Sequence, residues 1–134
     1  MPTAIPFVTA VYAAVLALLG GVLTINVIVN RVRNKVDAGD GGVAIMAQAI
    51  RAHANFAEQA PMAVIVIAFA EAAGMHPLFV NILGGALVVA RLASAYALNR
   101  SLTVTPLRQV GAVLTGLVVA AASIAILLAA VGVG

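Results

Sequence analysis

The sequence predicts an all-α integral membrane protein, a bundle of four transmembrane helices. Three observations carry this. Of 134 residues, 64% are hydrophobic and only 8% are charged, whereas soluble domains carry about a quarter charged residues. The mean hydropathy is +1.18. The apolar runs are long, rich in alanine and leucine, and free of two-residue alternation, which argues for helices rather than strands in a solvent that admits only helices or closed barrels.

The elements follow in order. A spanning helix needs about 20 mostly apolar residues. The first span is expected over residues 5–31. It has no basic lead segment, and its uncharged run reaches Asn30, longer than the apolar core of a cleaved signal, so it is read as a span that stays. The loop 32–42 ends in Gly39-Asp40-Gly41-Gly42, a turn signal. The second span is expected over 43–73, followed by Gly74-Met75-His76-Pro77, and the third over 78–99. Pro106 suits the first turn of a fourth helix over 106–131. A chain of this size is expected to be a single domain, 1–134. Gly20-Gly21, Gly84-Gly85 and Gly111 with Gly116 are places where membrane helices can approach closely.

Charge placement sets the expected orientation. Arg31, Arg33, Lys35, Arg100 and Arg108 lie in or beside the first and third loops, and the second loop has no lysine or arginine. The positive-inside rule then puts those two loops in the cytoplasm and both termini on the periplasmic side.

The most informative segment is Arg51-Ala-His-Ala-Asn-Phe-Ala-Glu58-Gln-Ala-Pro61. Arg51, Asn55 and Glu58 stand at i, i+4 and i+7, so they share one helical face. Charges in a membrane helix are costly and mark sites by default. Arg91 falls inside the third span, Arg31 closes the first and Arg108 opens the fourth. Four arginines from four helices, with Glu58, thus share the cytoplasmic leaflet. They are expected to gather around one positive hollow suited to an anionic ligand. Pro61 cannot donate to the carbonyl of Ala57, so a kink is expected beside Glu58.

Other classes are disfavoured. With no cysteine there is no disulfide, thiolate nucleophile or cysteine-ligated metal. His53 and Glu58 are five apart, wrong for a helical metal pair, and Asp37 and Asp40 lack the spacing of a calcium loop; no metal is expected. There is no Ser-His-Asp candidate, phosphate loop or basic–aromatic surface for nucleic acid. Glu71 reads as a helix-end residue near the outer surface, Phe7 and Tyr12 as interface anchors, and His76 and Arg100 as solvated loop groups.

Arg51-Ala-x-x-Asn55-x-x-Glu58-x-x-Pro61 resembles the second-helix signature of the MAPEG family, the membrane-associated proteins of eicosanoid and glutathione metabolism. The arginine-ended first helix, Arg91 and the Pro106-Leu-Arg108 start of the fourth helix extend the likeness over nearly the whole chain. The small size and the Gly-Asp-Gly-Gly loop look like bacterial members, which implies an inner membrane. The resemblance implies a homotrimer of four-helix protomers that binds glutathione between neighbours and, as a glutathione transferase- or peroxidase-like enzyme, transfers the thiol to lipophilic electrophiles or reduces lipid peroxides drawn from the bilayer. It implies that Arg51 pairs with a glutathione carboxylate, Asn55 bonds its peptide backbone and Glu58 holds its α-ammonium. Arg31, as the catalytic residue, would reach in from a neighbour to stabilise the thiolate, and Arg91 and Arg108 would support the anionic ligand or the helix packing. Where many glutathione-binding members carry a tyrosine after the glutamate, this chain has Gln59; where they carry an aromatic or histidine in the third helix, it has Ser94. Another anion therefore stands beside glutathione as a candidate ligand.

Two other readings stay open at this level. A small transporter could use Glu58 as its coupling site, although surrounding arginines favour the ionised carboxylate over a proton shuttle. A purely structural oligomer could use Arg51 and Glu58 in an interhelical ion pair that fixes register, with Asn55 bonding between helices.

Overall fold

Helices α1 (Phe7–Asn34), α2 (Ala44–Ala72), α3 (Pro77–Arg100) and α4 (Pro106–Ala130) make up the computed structural model, which describes residues 5–132. No strand occurs among the described residues.

The helix ends have local causes. α1 continues past Arg31 and stops where Lys35 turns left-handed at φ 54°, its N–H bonding back to the carbonyl of Arg31. Pro77 and Pro106 each sit in a first turn, where a missing N–H costs nothing. Ahead of them, His76 Nδ1 accepts from Leu78 N–H at 3.2 Å and Thr105 Oγ1 accepts from Arg108 N–H at 3.3 Å. His76 is exposed, as expected of a loop group, but it also caps α3.

α1 has no cap of its own, because Pro6 offers no side-chain acceptor. The carboxylate of Glu71, at the far end of α2, replaces it. It accepts from Val8 N–H at 2.8 Å, Thr9 N–H at 2.7 Å and the Thr9 hydroxyl at 2.6 Å. The residue expected to be a simple helix-end group thus ties two helices together.

α2 and α3 pack on each other, and each also packs on both α1 and α4. Among the described residues α1 and α4 do not pack together, so they occupy opposite corners of a rhombus whose short diagonal is α2–α3. α1 buries Thr9, Leu16, Leu23 and Asn30, every seventh residue. That period is the narrow seam of coiled packing, and it leaves most of the helix for lipid. The larger core cluster joins Leu16, Ile67, Val80, Leu87 and Val118 around small residues Ala63, Ala70 and Ala122.

α1, α3 and α4 are long and apolar enough to cross a membrane. α2 is the polar one, and its packing on all three others compensates. Its helix is unbroken through Pro61, so the proline frees a carbonyl without ending the element.

Three glycines set interhelical distances, and a Cβ on the first, Gly20, would come within 2.9 Å of the Phe56 ring. A Cβ on Gly84 would overlap the ring of Tyr12. One on Gly111 would overlap Ser94 Oγ and come within 2.8 Å of the carbonyl of Ala90. Tyr12 is therefore more than an interface anchor: its ring lies on α3 and its hydroxyl donates to Asn81 Oδ1 at 2.9 Å.

Candidate functional site

The site begins with the rotation of α2. Its buried residues, among them Ala49, Ala52, Ala60, Ala63 and Ile67, form one face. At 100° per residue, Arg51 and Glu58 fall on the other side of the helix and Asn55 on the flank between the two faces. Alanine on the inner face lets α2 sit close to its neighbours, while Arg51 and Glu58 stay at the bundle surface.

Arg51 and Glu58 face each other across two turns in a two-pronged pair. Nη1 donates to Oε1 and Nη2 to Oε2, each at 3.2 Å. Their side chains are 42% and 53% exposed. Parallel guanidinium–carboxylate bonds are strong and geometrically selective. In water such an exposed pair contributes little; beside lipid it neutralises two charges that would otherwise be costly. An open groove of about 400 Å³ reaches Arg51 past Ala47, Ala54, Gly39 and Asp40. A second groove of about 340 Å³, lined by Leu16, Phe56, Pro61 and Ile65, runs between α1 and α2 on the apolar side.

Asn55 turns inward from the flank of α2. Its Oδ1 accepts from Arg91 Nη1 at 3.0 Å. Arg91 is 1% exposed, the largest fully buried side chain among the described residues. Its Nη2 donates to Thr115 Oγ1 at 2.6 Å, the Gly111 carbonyl at 3.1 Å and Ser94 Oγ at 3.2 Å. Among the described residues no carboxylate contacts it, and its Nε has no partner. Three helices thus supply neutral dipoles to one cation, a dense arrangement that makes up for lost water. Ser94, standing where an aromatic or histidine was the familiar alternative, is part of this cage. Gly111 contributes by lacking a side chain, since a methyl group there would collide with Ser94.

Arg31 and Arg108 are held elsewhere. Arg31 Nη1 donates to the carbonyls of Gly39 at 3.0 Å and Val36 at 3.4 Å, pinning the first loop. It also lines an open hollow of about 550 Å³ with Lys35 and Asp37. Arg108 Nη1 donates to the Leu102 carbonyl at 2.9 Å, pinning the third loop. Arg100 lies over the Tyr96 ring at 4.8 Å, so it is a stacked rather than a free loop cation.

The expectation of one hollow shared by four arginines is therefore corrected for the single chain. The structure joins Arg51 to Glu58 and Asn55 to Arg91, and it occupies Arg31 and Arg108 with loop carbonyls. Each guanidinium finds the nearest strong acceptors, and those lie on different elements. Gly39 is the connection between the two regions, because it accepts from Arg31 and lines the groove of Arg51.

Sequence reasoning missed a chain of asparagines. Asn26 Nδ2 donates to Asn99 Oδ1 at 2.9 Å, Asn30 Nδ2 to the Asn26 carbonyl at 2.8 Å, and Asn34 Nδ2 to the Asn30 carbonyl at 2.8 Å. The four-residue spacing of Asn26, Asn30 and Asn34 was the available signal. Among the described residues no group of His, Cys, Asp or Glu could hold a metal ion.

Comparison with known proteins agrees with the helical signature. Residues 9–128 match the model of the MAPEG family. The chain is 35% identical over 95 residues to the inner membrane protein YecN of Escherichia coli K12, covering 71% of this chain and 72% of that protein. The YecN protein of Escherichia coli O6:H1 matches to the same extent. With the family model covering most of the chain, and with a polar second helix inside an otherwise lipid-soluble bundle, the protein belongs to the MAPEG family.

Proposed function

We propose that the Arg51–Asn55–Glu58 face of α2 binds glutathione where it meets a second copy of this chain, and that the protein transfers the glutathione thiol to lipophilic electrophiles. The observation that carries this reading is the Arg51–Glu58 pair, half exposed on a helix surrounded by apolar ones. A charged pair facing acyl chains is costly, and a neighbouring protomer covers it at no further cost. The pair also has the chemistry of a zwitterion receptor: its guanidinium can exchange Glu58 for a ligand carboxylate, and the freed carboxylate can take an ammonium. Glutathione carries both groups.

In this reading the protein is a homotrimer in the inner membrane, with both termini periplasmic and the site in the cytoplasmic leaflet. Arg31 of a neighbouring protomer favours the thiolate over the thiol. The sulfur forms a bond to an electrophilic carbon as that carbon's bond to its leaving group breaks; the leaving group departs with the electron pair as an anion, and the thiol proton is released to water. The apolar groove at Phe56 and Pro61 admits the second substrate sideways from lipid. Arg108 supports the anionic ligand through the loop it holds.

Isothermal titration of the detergent-solubilised protein with glutathione tests the reading. Saturable heat, displaced by an S-alkyl glutathione, is expected. An absence of heat at millimolar glutathione, with no effect of the S-alkyl competitor, removes it. Arg31→Ala is expected to abolish the thiolate absorbance that bound glutathione develops near neutral pH, while the unfolding temperature falls only by what the two loop hydrogen bonds to Val36 and Gly39 contribute.

A further inference from the structure

Asn55 stands where the inner cage and the outer polar face meet. Its Oδ1 is taken by Arg91. Its Nδ2 donates to no atom among the described residues, and it is absent from the buried groups lacking partners, of which Arg91 Nε is the one found. The amide nitrogen of Asn55 therefore reaches the surface with both hydrogens free. A side-chain amide can rotate to present either end, but Arg91 removes that freedom. A guanidinium has only donors to offer, so it can hold only the oxygen end. Arg91 itself cannot swing away, because Thr115, Gly111 and Ser94 fix its other arm. The cation also polarises the amide it holds, which strengthens the outward N–H as a donor.

We propose that Arg91 is a positioning residue that commits Asn55 to donate outward, so that the ligand atom at Asn55 is a carbonyl or carboxylate oxygen. Its ligand half rests on the glutathione reading. The three polar residues of α2 then divide the work: Arg51 and Asn55 take oxygens, and Glu58 takes the ammonium. Arg91 touches no ligand and acts through Asn55 alone.

Asn55→Asp in the full-length, detergent-solubilised protein tests this. The substitution keeps an oxygen toward Arg91 and replaces the outward donor by an acceptor. Two readouts are made on the same preparation. The unfolding temperature is expected to equal or exceed that of the unsubstituted protein, because a carboxylate meets a cation that previously had none. Glutathione affinity is expected to fall at least tenfold. A purely structural asparagine would leave affinity unchanged. If the outward group were instead an acceptor for the ammonium, the added carboxylate would tighten binding. Unchanged or tightened binding overturns the proposal. So does an unfolding temperature several degrees lower, since it would mean that no cation holds position 55. If the unsubstituted protein binds no glutathione, the proposed function falls, and the unfolding temperature still decides whether Arg91 holds Asn55.

Discussion

Pro6 leaves the first N–H groups of α1 without a local acceptor, and the Glu71 carboxylate takes two of them together with the Thr9 hydroxyl. Helix N-termini favour negative charge as well as acceptors, so the bond set combines a cap with a charge–dipole contact. Glu71→Gln keeps one oxygen and loses the charge; it is expected to lower stability by about 1–2 kcal/mol, read by denaturant unfolding in detergent. Asp40→Asn is the control, because Asp40 serves only an exposed turn through Gly42 N–H at 2.9 Å, and it should change stability by less than about 0.5 kcal/mol. Glu71 was visible in the sequence as a lone outer acid. Its role was not, because Thr9 lies 62 positions away and no local pattern links the two.

Helix contacts separate the small residues that matter from those that do not. The sequence marked Gly111 and Gly116 alike as close-packing candidates. Only Gly111 meets α3, at Ser94 and the Ala90 carbonyl, while the space around Gly116 is open. Gly111→Ala should push α3 from α4 and disturb the acceptors of Arg91, at a cost of at least about 2 kcal/mol, the scale of overpacking. Gly116→Ala should be neutral or stabilising by up to about 1 kcal/mol, because alanine restricts the unfolded chain. Unfolding curves of the two variants side by side check the pair. Which glycine of each couple faces a neighbour depends on helix rotation, and a motif does not state rotation. The same limit applies to the arginines. Their shared leaflet could be read from span boundaries, but their partners could not, since a flexible side chain reaches acceptors on several elements. Arg51 and Glu58 were legible as sharing a face because both stand on one helix, where spacing alone fixes the face; the ion pair expected between helices instead closes within α2.

At the scale of the molecule, the four-helix count and membrane character follow directly from composition and run length. The polarity of α2 looks out of place until its neighbours are counted: it packs on every other helix of its own chain, and its remaining charged face is the part proposed to meet another copy. Orientation is testable because the chain has no cysteine. Single substitutions Ala38→Cys in the first loop and Ala73→Cys at the end of α2 give unique labels. In intact cells, a membrane-impermeant maleimide that has access to the periplasm should label position 73 and not position 38; the reverse pattern would invert the topology.

Native mass spectrometry in the presence of millimolar glutathione addresses the central claim most directly, that the α2 polar face of one 13.4 kDa chain becomes a glutathione site against its neighbours. The account predicts a complex of three chains that retains glutathione, and retains none when Glu58 is replaced by alanine. A population of single chains, or three chains carrying no glutathione, would contradict it.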